Sequence, residues 1–462
     1  MEPLHCDRIN ATCMKKLATA LFALCVSAMA ADPPIAIQNA RIVTVSGPVI
    51  ARGTVVIRRG LIEAVGENVT IPADAAVMAG EGLTVYPGLI DSLTNVGIPS
   101  LAPPAVPVNG GRGGAAPVVA APATAPVPRA MGPEDRPRTT SWALAADELQ
   151  NNDRRMEIIR GAGVTTTATF PTRGIFGGQG ALVNLVSGEK PGAMVMLSPI
   201  GQYAALNLGT PGPGGGNSGF PASLMGVIAY IRQIYLDLDH YNLVKAAYAK
   251  DPRGMQRPQY DQALEGLGAS RRLLLPANRL VEVDRMLRLG LELKQNTVLY
   301  GGIEAYRPEV GELLKKTNTA LLVNLRWPER GRDSNPDEDG TMRTLDQHEK
   351  APSAPAALRK AGAKFAFYSG GIEQPRDLNR AVKRAIDAGL SREDAVRALT
   401  LSPAEIYGVA DRVGSVEKGK IANLVITRGD IFEDRTTVEM VIVDGKKYTP
   451  LPEAQAPQGG GR

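Results

Sequence analysis

Two β-patterned ends enclose a middle in which strand and helix alternate, and this arrangement limits what the 462-residue chain can fold into. Short runs of apolar and polar alternation at 35–45, 53–58 and 61–65 are broken by Gly47-Pro48, Arg59-Gly60 and Gly66. That punctuation marks strands joined by tight turns. The pattern returns at 421–427 and 437–443, ending on Asp444-Gly445. Between the ends, apolar runs at 164–169, 273–275, 296–300, 320–324 and 364–368 precede or follow helix-patterned stretches. Those stretches begin at Arg279, Glu309, Asp377 and Ser391. Such alternation predicts a parallel β/α domain, and the length suffices for a large buried core. Three segments break the rhythm. The Pro/Ala/Gly-rich stretch 99–137 predicts a loop without regular structure. Residues 209–216 form a second break, and the charged stretch 326–350, with Pro328 and Pro336, reads as a third long loop.

The N-terminus reads as an export signal. Lys15 and Lys16 precede an apolar run from Leu17 to Val26 and then Ala28-Met29-Ala30, the order of charged region, hydrophobic region and A-x-A cleavage site. The run is too short to span a bilayer. Met14 is the natural start on this reading, residues 1–30 are removed, and the protein is periplasmic or secreted. Leu24 before Cys25 is too large for a lipoprotein cleavage site. Cys6, Cys13 and Cys25 all lie in the removed part, so the mature chain has neither disulfides nor thiolate metal ligands. The net charge of +5 is dispersed along the chain. Without a basic stripe there is no nucleic-acid footprint, and no membrane contact is expected after signal removal.

The segment TVYPGLIDSLTN (84–95) and the block ALTLSPAEIYGVADRVGSVEKGKIANLVI (398–426) resemble the two hallmark regions of the amidohydrolase superfamily, in particular its exported imidazolonepropionase-like branch. Asn423 stands where the second block usually has Asp. The resemblance implies a distorted (β/α)8 TIM-like barrel with a composite β-sandwich built from both chain ends. The expected division is 31–83 for the first part of the β-domain, 84–411 for the barrel, 412–448 for the second part, and 449–462 for a flexible tail.

It also implies a chemistry, the hydrolysis of C–N bonds by a metal-activated hydroxide. A bound zinc lowers the pKa of water from about 16 to about 7. The family's first strand ends in a His-x-His pair, and two such residues face the same way on a strand. Here those positions hold Leu93 and Asn95. The fifth-strand His-Ala-His corresponds to Pro276-Ala277-Asn278, the sixth-strand histidine to Tyr300, and the eighth-strand aspartate to the segment at Ser369. The resemblance thus leads to no metal and no cofactor where the family norm is zinc, with Asp91, Asn95, Asn278, Tyr300 and Ser369 as degenerate positions able to contact a ligand. They are expected to converge, with Leu93, at the C-terminal ends of the strands, where barrel sites lie.

Only His240 and His348 remain as histidines in the mature chain. His240, near Asp237 and Asp239, reads as part of a solvated helix face, and His348 as a surface-loop residue. GIFGGQG (174–180) lacks the Lys-Ser/Thr of a phosphate loop and reads as structural. The expected function is therefore a metal-free pseudoenzyme that binds a small molecule or serves as partner to a catalytically complete homologous subunit. The alternative is an active hydrolase that uses displaced carboxylates such as Asp91, Glu304 or Glu373.

Overall fold

The computed structural model describes residues 33–99, 133–206, 220–330, 340–371, 374–433 and 436–450. Residues 1–32, which include the expected export signal, most of the 99–137 stretch, the 209–216 break, Glu373 and the residues from 451 lie outside the described residues.

Turn chemistry sets the first strands. β1 (Ile35–Ile42), β2 (Ile50–Arg58), β3 (Leu61–Gly66), β4 (Ala76–Ala79) and β5 (Thr84–Pro87) come before any helix. Arg59 and Gly60 have φ of 51° and 78°, so a two-residue turn with both central residues left-handed joins β2 to β3 and matches the strand twist. The barrel strands follow as β6 (Leu89–Thr94), β7 (Val164–Thr169), β8 (Phe176–Gln179), β9 (Ala181–Asn184), β10 (Val195–Leu197), β11 (Gln202–Ala204), β12 (Leu273–Ala277), β13 (Thr297–Gly301), β14 (Ala320–Asn324) and β15 (Phe365–Tyr368). The chain ends on β16 (Leu424–Thr427), β17 (Val438–Val443) and β18 (Lys446–Tyr448), with Asp444-Gly445 (φ 51° and 75°) turning β17 into β18.

One sheet unites the two chain ends in the order β18-β17-β16-β5-β1-β2-β3, with β4 beside β1. β5 runs parallel to β1 and antiparallel to β16. The first part of the β-domain therefore extends through Pro87, not to 83 as the motif boundary suggests. The barrel is parallel from β11 through β15 and from β6 to β7. Its distortion sits at the third position, where the successive strands β8 and β9 belong to different sheets, β8 antiparallel to β11 and β9 antiparallel to β7. β6 meets β15 through side chains: Ser92 Oγ donates to Phe367 O (2.7 Å), and Ser369 N donates to Asp91 Oδ1 (3.1 Å).

Period-2 alternation divides the barrel core. Leu274, Val298, Leu322 and Ala366 point inward with Ile90 and Ala168. Leu273, Leu275, Leu299, Leu321 and Phe367 point outward against an apolar shell that includes Val283, Leu287, Val310, Leu314 and Leu358. Both faces of these strands are buried, which is why their sequences are near-continuous apolar runs. The helices named below are α1 (Arg154–Gly161), α2 (Leu224–Lys250), α3 (Leu280–Glu292), α4 (Pro308–Thr317), α5 (Met342–Lys350), α6 (Ala354–Ala361), α7 (Pro375–Asp387) and α8 (Leu401–Tyr407). Val283 and Leu287 lie on α3, Val310 and Leu314 on α4, and Leu358 on α6. Among the described residues no helix is long and apolar enough to cross a membrane.

Two sequence expectations are corrected. His348 lies on α5, not in a loop: Thr341 caps that helix by accepting from Thr344 N, and no Gly or Pro interrupts residues 342–350. The breakers that suggested a loop all precede it. Pro133–Asp135, at the end of the 99–137 stretch, forms a 3-10 turn.

The two hallmark segments meet. Gly88 N donates to Asn423 O (2.7 Å), and a Cβ on Gly88 would overlap the Thr165 hydroxyl, so only glycine fits. The Asn423 amide donates to Thr166 Oγ1 and Asn184 Oδ1 (both 3.0 Å), and its Oδ1 accepts from Asp444 N (2.8 Å). This one buried side chain ties the β-domain to β7 and β9.

Candidate functional site at the barrel mouth

A cavity of about 330 Å³ opens at the C-terminal ends of the strands, where loops leave β6, β13, β14 and β15. Leu93, Asn95, Tyr300 and Ser369 line it, so four of the named positions share one space. Irregular pairing of β6 with β7 lets Ile90 and Leu93 both join the inner cluster although they are three residues apart.

Asn278 and Asp91 are not among the lining residues. The backbone N of Asn278 donates to Glu282 Oε2 (2.9 Å), its carbonyl accepts from Glu304 N (2.8 Å), and its side chain lies against Gly301, where a Cβ would collide with it. It therefore packs along the neighbouring strand. Asp91 is 2% exposed behind the cavity wall. Its Oδ1 accepts from the backbone N of Ser369, and its Oδ2 has no hydrogen-bond partner among the described residues. Burial disfavours the charged form, and it outweighs the Ser369 hydroxyl and the backbone donors Ser369 and Leu93 to push the carboxyl up to about 6.

Strand-end position, taken alone, would have pointed to Asn324, the last residue of β14, and to Tyr368, which faces inward as Ala366 does. Both line the cavity, with Tyr203 of β11 and Arg155 of α1. Tyr203 and Tyr300 stack with centroids 5.4 Å apart and planes at 25°, within the range of offset stacking. No local sequence signal marks Arg155. Its Nη1 donates to Asn95 Oδ1 (2.8 Å), its Nη2 to Asn95 O (3.1 Å), and it pairs with Asp153 at 2.7 Å.

The donor set does not fit a catalytic divalent metal. Leu93 has no lone pair, and the Asn95 oxygen already accepts from a guanidinium. The Tyr300 hydroxyl donates to Ala204 O (2.9 Å), and burial raises its pKa well above the ordinary phenol value, so it is no phenolate. Ser369 Oγ accepts from Gly371 N (3.3 Å). Zinc sites take about three ligands from imidazole, thiolate or carboxylate. Among the described residues no group of three or more such side chains is placed to hold a metal ion. Glu304 is 3% exposed and occupied elsewhere: it accepts from Leu280 N (3.1 Å) and Gln347 Nε2 (3.1 Å). The Asp237–His240 surface borders a larger hollow of about 790 Å³ on the flank of α2, away from every strand end. Asp237 is bound there to Arg136 and Gln233, and His240 is exposed.

Comparison with known proteins places this geometry. Residues 317–448 match the amidohydrolase family. An adenine deaminase of Moorella thermoacetica is 36% identical over 69 residues, which are 15% of this chain and 11% of that protein; the chain thus matches about a tenth of that relative's length. An amidohydrolase from Thermotoga maritima superimposes with a TM-score of 0.70 at 23% identity, covering 90% of this chain and all of that one. A prolidase complexed with N-methylphosphonate-L-proline superimposes with a TM-score of 0.54 at 13% identity, again over 90% of this chain and all of the other. These structures share the fold. This chain thus shares the fold of amidohydrolase structures across nine-tenths of its length and carries the family's pattern across 317–448.

Proposed function

We propose that this chain is a metal-independent amidohydrolase homologue whose barrel mouth binds a small molecule without metal-assisted hydrolysis. One observation carries the reading: the positions that in the family hold the ion are Leu93, Asn95, Asn278, Tyr300 and Ser369, and a guanidinium already occupies the Asn95 oxygen. Fold alone does not decide activity; the chemistry of these side chains supports binding. Without an ion to acidify water, general-base assistance recovers only about a hundred- to ten-thousand-fold in rate. The test is elemental analysis of protein purified without added metal, joined to turnover of N-acyl amino acids and cyclic amides with and without chelator. The expected result is metal far below one equivalent and no chelator-sensitive turnover. One equivalent of zinc with chelator-sensitive hydrolysis overturns it. Leu93→His with Asn95→His creates no activity on this reading, because the positions at Asn278, Tyr300 and Ser369 still lack ligands.

The second reading is C–N bond hydrolysis. It is favoured by the family match over 317–448 and by Asp91, a buried carboxyl with its pKa raised to about 6, the range of a general acid or base at neutral pH. Chelator-insensitive turnover abolished by Asp91→Asn, in protein that stays folded, would select it. Association with a catalytically complete homologous subunit is compatible with either reading and predicts co-purification from the native host. The Lys15-Lys16, apolar and Ala28-x-Ala30 order supports export. Terminal sequencing of protein from that host is expected to begin near Ala31; a start at Met1 or Met14 contradicts export.

A further inference from the structure

The mouth cavity has a neighbour. Beyond Ser369 and Gly371, which line both spaces, a second hollow of about 650 Å³ lies between the ends of β14 and β15 and helix α7. The shared wall is thin for a local reason. Gly370 is packed tight against the Asn324 amide, whereas a Cβ on Gly371 would meet nothing within 4 Å. The two hollows therefore adjoin at a residue without a side chain.

They differ in character. The inner one offers the faces and edges of Tyr203, Tyr300 and Tyr368. Its one cation, Arg155, is already matched by Asp153. The outer one carries Arg326, Arg380 and Arg384 against Glu329 and Asp377. Arg384 pairs with Glu329, and the Asp377 carboxylate accepts from Gln374 N (2.8 Å) to close the N-terminus of α7. That leaves Arg326 and Arg380 with no carboxylate partner among the described residues. Both are exposed and both border the hollow. Unpaired guanidinium groups in a concave wall favour carboxylate or phosphate oxygens, which they can grip in bidentate fashion. The tyrosine cavity favours a flat, unsaturated body stacked on a ring face.

We propose that the mouth takes an organic carboxylate with an aromatic or similarly planar body, the ring seated among Tyr203, Tyr300 and Tyr368 and the carboxylate held past Gly371 by Arg326 and Arg380. This deepens the metal-independent binding reading and rests on it for the use of the mouth as a binding site. It replaces the divalent cation of a hydrolytic site with two fixed cations farther out, which attract an anion without activating water.

The test uses the full chain and two matched probe sets, benzoate and 3-phenylpropanoate against benzamide and 3-phenylpropanamide, by titration calorimetry and ligand-observed NMR. The expected result is that the acids bind roughly tenfold or more tightly than the amides, a preference of the size one charge-assisted pair supplies. Arg326→Ala with Arg380→Ala removes the preference, bringing the acids to the level of the amides; both positions are exposed, so the fold is kept. Tyr300→Leu weakens acids and amides alike. Equal binding of acids and amides, a preference that survives the double substitution, or no binding of either acid overturns the proposal. Metal content separates this from the broader reading. A zinc-loaded protein that still prefers the acids breaks the metal-independent reading alone. A metal-free protein indifferent to charge breaks this inference alone.

Discussion

Replacing Asp91 by asparagine tests the barrel closure through its pH dependence. The carboxyl is 2% exposed, accepts from Ser369 N, and has an Oδ2 without a partner among the described residues. Burial raises its pKa from 3.8 to about 6 against the opposing pull of the Ser369 hydroxyl and the two backbone donors. The unfolded chain loses this proton near pH 4, whereas the folded chain keeps it to about 6. Between those values the native state binds more protons than the unfolded state, so stability falls as pH rises and is level above the window. A shift of about two units corresponds to roughly 3 kcal/mol over the whole range, of which about 2 kcal/mol falls between about pH 4.5 and about pH 7.5.

The substituted amide does not titrate. It keeps an oxygen for Ser369 N but turns an NH2 group toward the space where Oδ2 had no partner, at a cost of about 1–3 kcal/mol. The Asp91→Asn variant is therefore less stable than the parent in mild acid and close to it at neutral pH. Urea unfolding of both proteins at about pH 4.5, 6 and 7.5 gives the difference directly, and the other titrating groups cancel. The difference is expected to move by about 2 kcal/mol in favour of the variant as pH rises. A difference that stays flat across the three pH values would refute burial as the dominant influence on this carboxyl.

Gly88→Ala forces a methyl onto the Thr165 hydroxyl and is expected to cost about 1–3 kcal/mol in urea unfolding; a neutral result would mean that Gly88 is not held by packing. Asn423→Ala strands the Asp444 N–H and removes the donor shared by Thr166 and Asn184, with an expected loss of about 2–4 kcal/mol in the same assay. Asn423→Asp, which installs the residue usual in the family's motif, is expected to cost less, because the Asn184 amide can turn to donate to it. Loss equal to that of the alanine variant would show that Asn184 is locked.

The sequence carried the fold because burial on both faces makes barrel strands short apolar runs, and Leu273 to Leu275 or Ala320 to Val323 can be read without coordinates. It misplaced the β-domain boundary at 83 because Thr84–Pro87 and Leu89–Thr94 are continuous in sequence and part only at Gly88, where the chain passes from one sheet to another. The mouth was legible in part. The resemblance named Leu93, Asn95, Tyr300 and Ser369, and the strand ends bring these four to one cavity. It overreached at Asn278, one residue past the end of β12, where the backbone has turned to meet Glu282 and Glu304. It missed Arg155, which reaches the mouth from a helix, and Arg380, which borders the adjoining hollow from another, because no spacing rule links a helix residue to a strand end far away in the chain. That the positions at Leu93, Asn95, Asn278, Tyr300 and Ser369 hold neither imidazole nor carboxylate can be read from the sequence alone. The cations that stand near these positions become visible only when α1 and α7 are set against the barrel.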